Sequence, residues 1–164
     1  LDLRWYLIHT KPRQEQVALI NLERQGYECY LPAIQVRRVR RRKLEIVTEA
    51  LFARYLFIRL DRSGSGLSWS PIRSTLGVSR LVKFGETPLP VDDALIELLR
   101  NREAAQQVSA LFDPGDIVII TEGPFAGLEA IYRTQDAEQR ATILLQILNR
   151  PVNIKLDITQ LRKK

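Results

Sequence analysis

The chain holds one cysteine, Cys29, one histidine, His9, and no methionine. A single thiol excludes an internal disulfide framework and fits a reducing, cytoplasmic compartment. With no second cysteine or histidine there is no ligand set for zinc. His9 falls in an apolar strand-like run and reads as a structural or interface side chain, not a base. Cys29 stands among Tyr27, Tyr30 and Leu31 and reads as a small buried hydrophobe. The SGSG run at 63–66 lacks the lysine and the spacing of a phosphate-cradling loop. Asp92 and Asp93 are better explained as helix caps than as acid catalysts. An enzyme is therefore not expected, and no cofactor is called for. No run of about 18 apolar residues exists, so a membrane-spanning helix is not expected either. The first ten residues, LDLRWYLIHT, resemble a strand and not a signal peptide, and the absent initiator methionine suggests a trimmed or incomplete terminus.

Positive charge is abundant instead. The net charge is +6, with 27% charged and 45% apolar residues in 164, a balance that favours polyanionic surroundings. The length suits one large or two small domains with a real core. Residues 37–43, RRVRRRK, place six cations in seven positions. Flanked by IQV and LEIV, Arg37, Arg38, Arg40, Arg41, Arg42 and Lys43 read as the arms and tip of a long exposed hairpin. Further cations lie at Lys11, Arg13, Arg62, Arg73 and Arg80. Beside Arg73, Trp69 is placed to stack on a base and Ser74 to bond a phosphate or base edge, or else Trp69 simply anchors its own turn.

Hydropathy patterning orders the elements. WYLIHT reads as a strand. A helix follows, opened by Thr10 or Pro12, carrying Val17, Ala18, Ile20 and Leu22, and stopped by Gly26. YECYLPA is extended, with Pro32 at an edge or bulge. After the basic hairpin, LFARYLFIRL is a central strand, SWSPIRSTLG a short helix closed by Gly77, and VSRLVKF a further strand. The next helix, capped by Asp92 or Asp93, buries Ala94, Leu95, Leu98 and Leu99. This order predicts an α+β fold, a ferredoxin-like antiparallel sheet with helices on one face. WYLIHT and YLFIRL are apolar on both faces, however, so the face without helices must meet a partner, another domain or the folded-back hairpin.

A second unit begins near Phe112. DPG is a turn, DIVII a strand, TEGPFAG a tight connection, and LEAIYR a return strand. ATILLQIL and VNIKLDI complete a small barrel. ATILLQILNR is ambiguous, since Ile143, Leu144, Ile147 and Leu148 fit a helical period as well as a strand.

Taken together, WYLIHTKPRQEQVALINLERQGYECYLP, LFARYLFIRL, WSPIRSTLGVSRLVKFG and PLPV resemble the N-terminal domain of the NusG family of transcription elongation factors. GDIVIITEGPFAGLEAI resembles its C-terminal KOW module, and FARYLFIRL, LLQILN and TQLRKK look most like the RfaH branch. The resemblance spans nearly the whole chain. It implies an N-terminal domain over 1–103, a linker at 104–111 and a KOW-like unit over 112–164, with KOW-turn positions Gly115, Gly123, Phe125 and Gly127. That last unit is either a β-barrel or an autoinhibitory helical hairpin. The resemblance further implies docking on the clamp helices of the RNA polymerase β′ subunit through Phe52, Tyr55 and Phe84, suppressing pausing and termination. It implies contact with the non-template DNA strand through Lys11, Arg13, Ser68, Trp69 and Arg73. Ribosomal protein S10 and Rho are the partners implied for the KOW unit, and a monomer is the expected state. The chain departs from the family pattern at SGSGLSW, which replaces a polar His-Thr run, at Leu76 before Gly77, and at Ala53, where relatives carry proline. The rival expectation is a ribosome-associated or RNA-binding KOW protein working through 37–43.

Overall fold

The computed structural model describes residues 1–109 and 127–149. Strand β1 (Leu3–Thr10), β2 (Glu28–Tyr30), β5 (Tyr55–Asp61) and β6 (Val78–Leu81) form an antiparallel sheet in the order β2-β5-β1-β6. β1 lies at its centre, with Tyr6 opposite Ile58 and Leu7 opposite Phe57. β3 (Ala33–Arg40) and β4 (Lys43–Ala50) form a separate two-stranded ribbon, paired from Ala33↔Ala50 out to Arg40↔Lys43. A small hairpin, β7 (Lys83–Phe84) with β8 (Thr87–Pro88), leads towards helix α2 (Asp93–Ser109).

Side chains of a strand alternate between faces, and the central pair builds two cores this way. Tyr6, Ile8, Leu56, Ile58 and Leu60 point to one face, where they meet Ala18, Leu22, Tyr27 and Ile72. Ala18 and Leu22 come from helix α1 (Glu15–Arg24), and Ile72 from a 3-10 turn, Ser70–Ser74. Trp5, Leu7 and Phe57 point to the other face, where they meet Leu95, Ile96 and Leu99 of α2. Helices thus cover both faces, not one. The fully apolar strands are explained by burial on each side, the pattern of a strand sandwiched between layers.

Several local expectations are corrected. α1 starts later than Thr10 or Pro12, at Glu15, with Gln14 as an N-cap that makes no side-chain bond. The Glu15 carboxylate accepts instead from the backbone N–H of Arg54 at 3.0 Å. Ile96 joins the buried stripe of α2, while Ala94 and Leu98 are only half-buried. Asp92 caps that helix by accepting from the Ala94 N–H at 2.9 Å. α2 continues to Ser109, across positions expected to begin a linker.

The largest correction concerns LEAIYR, expected as a strand. Residues Leu128–Arg133 are helix α3 and Ala137–Leu148 are helix α4. Asp136 caps α4 by accepting from the Glu138 N–H at 3.1 Å. Gly127, expected in a KOW turn, is instead the left-handed N-cap of α3, with φ 97°. Within 127–149 the helical alternative for the C-terminal unit is therefore the one adopted. Gly115, Gly123, Phe125, and the strands expected at DIVII and VNIKLDI, lie outside the described residues.

Candidate docking face and nucleic-acid surface

Phe52, Tyr55 and Phe84 come from different elements yet belong to the same apolar cluster. Phe52 is completely buried and stands edge-on to Phe57, with ring centres 6.4 Å apart. Tyr55 is half-buried at the start of β5, its ring 5.0 Å from that of His9. Phe84 is half-buried on β7 and shares with Tyr55 the wall of a cavity of about 320 Å³ that also meets Leu145 and Asn149.

What lies over this cluster is the C-terminal helix pair. Leu128 and Ile131 of α3, with Ala141, Leu144 and Ile147 of α4, join the core of Trp5, Leu7, Phe52 and Phe57. The seam carries a buried cation. Arg140 of α4 is fully enclosed. Its guanidinium donates to the carbonyls of Leu51 at 2.6 Å and Thr134 at 2.9 Å, and to the Glu49 carboxylate of β4 at 2.8 Å. The same Glu49 oxygen accepts from Arg38 of β3 at 2.9 Å, and Arg38 donates also to the carbonyl of Gln135. A buried charge is tolerated only with partners of this kind, and removing one partner typically costs about 3–5 kcal/mol. The Ala53 N–H adds a backbone bond to the carbonyl of Ala137 at 3.2 Å. α2 grips the pair from its side, with the Arg102 guanidinium 4.5 Å from the centre of the Tyr132 ring. Burial pushes the Tyr132 hydroxyl well above its ordinary range.

Neither Arg140 nor Glu49 was singled out from the sequence. The signal was present only on a helical reading of 137–148, where Arg140 falls on the stripe of Leu144 and Ile147. An arginine on an apolar stripe asks for a buried partner.

The positions expected to meet DNA are spread over two places: Lys11 and Arg13 follow the end of β1, whereas Ser68 and Trp69 lie on the loop after Asp61, which pairs with Leu3 at the start of β1. The backbone N–H of Lys11 donates to the carbonyl of Gly77 at 2.9 Å, which holds the β1–α1 loop against the segment after Arg73. Gly77 has φ 89° and lies so close to α1 that a Cβ would come within 2.7 Å of the Ala18 nitrogen, so only glycine fits there. Lys11, Arg13, Ser68 and Arg73 are exposed. Trp69 is not free in the same way. Its indole N–H donates to the Asp61 carbonyl at 3.1 Å and its ring lies edge-on to Tyr6 at 5.1 Å. This placement makes it an anchor of the loop and gives the base-stacking role no support. Asp61 organises that loop: its carboxylate accepts from the Ser63 hydroxyl, the Asp2 and Ser63 N–H groups and the Ser65 hydroxyl, and these bonds hold it well below the usual carboxylate range.

His9, between these two surfaces, is held below its ordinary pKa of 6.5 by burial first, then by Arg54 and Arg80. Burial pushes the Cys29 thiol up to about 12, so it is protonated and inert at neutral pH.

Comparison with known proteins places the chain. The model of the family described as "Transcription termination factor nusG" matches residues 3–100, more than half of the chain. The NusG transcription termination/antitermination protein of Helicobacter pylori strain 26695 is 30% identical over 97% of this chain and 97% of its own length. Its counterpart in Thermus thermophilus is 27% identical over 99% of this chain and all of its own length. A solved structure concerned with domain interaction in Thermotoga maritima NusG aligns with 74% of this chain and 68% of its own, at 18% identity and a TM-score of 0.43. The chain belongs to the NusG family. It is accordingly not an enzyme.

Proposed function

We propose that this chain is a transcription elongation and antitermination factor whose RNA polymerase-docking face is covered, in the form described above, by its own C-terminal helices. The observation that carries this reading is the burial of Phe52, with half-buried Tyr55 and Phe84, beneath α3 and α4. In the family reading these three residues meet the clamp helices of the polymerase β′ subunit. Large aromatic anchors are the side chains that dominate such interfaces. A face already filled by Leu144 and Ile147 cannot take a second helical partner, so docking requires α3 and α4 to leave.

Arg140 is the hinge of that exchange. Its bonds to Leu51 and Glu49 exist only while α4 is seated. A ligand of the open form shifts the balance by its preference for that form, and by no more. In this reading the non-template DNA strand supplies the preference through Lys11, Arg13, Ser68 and Arg73, and polymerase then holds the factor open. Once released, the KOW-like unit over 112–164 is the part that would meet ribosomal protein S10 or Rho. The RfaH-like specialisation is supported by the helical form of 127–149.

The test is capture of core RNA polymerase by full-length protein. Arg140→Ala should raise capture several-fold over wild type by unseating α4. Tyr55→Ala added to that variant should return capture to background. Equal capture by wild type and Arg140→Ala would overturn the masking. Strong capture that ignores Tyr55→Ala would overturn the face.

A further inference from the structure

Among the described residues the non-glycine positions with left-handed backbone are Arg13, Arg41, Arg42 and Arg54, all arginines. Arg54 has a local reason, since its guanidinium donates to the Thr10 carbonyl at 3.1 Å. Arg41 and Arg42 have none. They form the two-residue turn between β3 and β4, with φ of 50° and 65°. Two positive φ values in a hairpin turn suit Asn-Gly, which adopts them without strain. Here two long cationic side chains occupy the turn instead, both exposed. Strained backbone kept without a packing return is a mark of functional positions.

The surroundings point the same way. Arg40 and Lys43 pair directly across the ribbon and share a face, while Arg37 lies on the other. Arg37, Arg40, Arg41, Arg42 and Lys43 are exposed and make no ion pair with any described residue. Arg38 is different, being engaged by Glu49 and Gln135 at the root. That root is seated by Ile34, which is buried, and by bonds from the Ala33 and Gln35 N–H groups to Glu103 and Gln106 of α2. The ribbon is therefore a fixed arm with an unneutralised basic tip.

We propose that the β3–β4 tip is a separate nucleic-acid contact that grips the phosphate backbone of double-helical DNA without reading its sequence. Guanidinium forks match phosphate oxygens. Residues 33–50 contain no aromatic side chain, so the ribbon has no platform on which single-stranded bases would stack. A two-stranded ribbon fits the major groove of B-form DNA, whereas the A-form groove of RNA duplexes is too narrow to admit it. The contact lies on different elements from Lys11, Arg13 and Arg73, and it is independent of polymerase docking.

The test uses full-length protein and no polymerase. Binding of a labelled, arbitrary-sequence DNA duplex of about 20 base pairs, two helical turns, is followed across a salt series. The variant is Arg41→Asn with Arg42→Gly, which relaxes the turn as it removes the charge. Duplex affinity should fall about tenfold, and the slope of log affinity against log salt should become shallower by about two. The thermal midpoint should rise in the same variant. Opposite movement of stability and binding is what a purely structural turn cannot produce. Arg40→Ala with Lys43→Ala should weaken duplex binding further. Unchanged duplex binding in the Asn-Gly variant would overturn the proposal. An equal loss towards single-stranded DNA or an RNA duplex would overturn the assignment to double-helical DNA.

Discussion

The two faces of the four-stranded sheet are closed by different parts of the chain. Tyr6, Ile8, Leu56 and Ile58 meet α1 and the 3-10 turn, all drawn from the first 80 residues. Trp5, Leu7, Phe52 and Phe57 meet α2, then α3 and α4, which begin only at Leu128. On the first face the seam is mainly apolar contact around Ala18 and Leu22, with Gly77 pressed onto α1. At its edges are bonds from uncharged donors, the Arg54 N–H to Glu15 and the Gln25 amide to the Thr75 hydroxyl. On the second it includes a buried Arg140 and a carboxylate shared with Arg38. Apolar seams are non-directional and tolerate small shifts, whereas a buried charge is all-or-none in its partners. In the proposed reading, one face stays shut and the other comes apart at this joint.

The comparison is broken most directly by matched truncations. Ile58→Ala, on the permanent face, should lower the stability of the whole domain by about 2–5 kcal/mol, read from denaturant midpoints. Leu144→Ala, on the removable face, should lower that global transition by about 1 kcal/mol or less, because the loss is confined to a locally opening unit. Its effect should appear instead as faster amide exchange across α4. Equal global costs for the two substitutions would erase the distinction between the faces.

Smaller effects sharpen the same contrast. Gly77→Ala should cost about 1–3 kcal/mol from the positive φ and the contact with Ala18. It should also displace the Lys11 loop, weakening single-stranded DNA binding without raising polymerase capture. The smallest effect is a pH term from His9. Its folded-state pKa is depressed below 6.5, so the unfolded chain takes up the proton first. The stability associated with neutral His9 is complete above pH 6.5 and is lost as pH falls through the folded pKa. His9→Gln should flatten the fall in thermal midpoint over that acidic window, and an unchanged slope would assign it to other groups.

Much of the fold was legible from periodicity. WYLIHT and YLFIRL are strands, 37–43 forms the end of a hairpin, and Gly26 and Gly77 end their segments as expected. VSRLVKF, expected as one strand, is instead divided between β6 and β7 of different sheets. The start of α1 was not legible, because Gln14 makes no side-chain cap and the turn before it depends on Arg13 in a left-handed conformation. For Trp69 the sequence left base stacking and anchoring both open, because its partners Asp61 and Tyr6 come from strands outside its own turn. Of the candidate face, Phe52, Tyr55 and Phe84 were named in advance by resemblance, but Glu49 and Arg140 were not.

Alternation of side chains, turn residues and net charge are local properties, and the sequence determined them unaided: a twofold-buried sheet, a basic arm and a long apolar-striped helix. It also determined that ATILLQILNR, 141–150, is compatible with two periods, and went no further, whereas α4 covers Ala137–Leu148. Tertiary structure made the choice. As a helix, the segment puts Ala141, Leu144 and Ile147 onto the apolar sheet face and delivers Arg140 to Glu49 and to the Leu51 and Thr134 carbonyls. Propensities differ by tenths of a kcal/mol per residue, whereas the burial of a single leucine contributes about 2 kcal/mol, so the surface that a segment packs against outweighs its own preference.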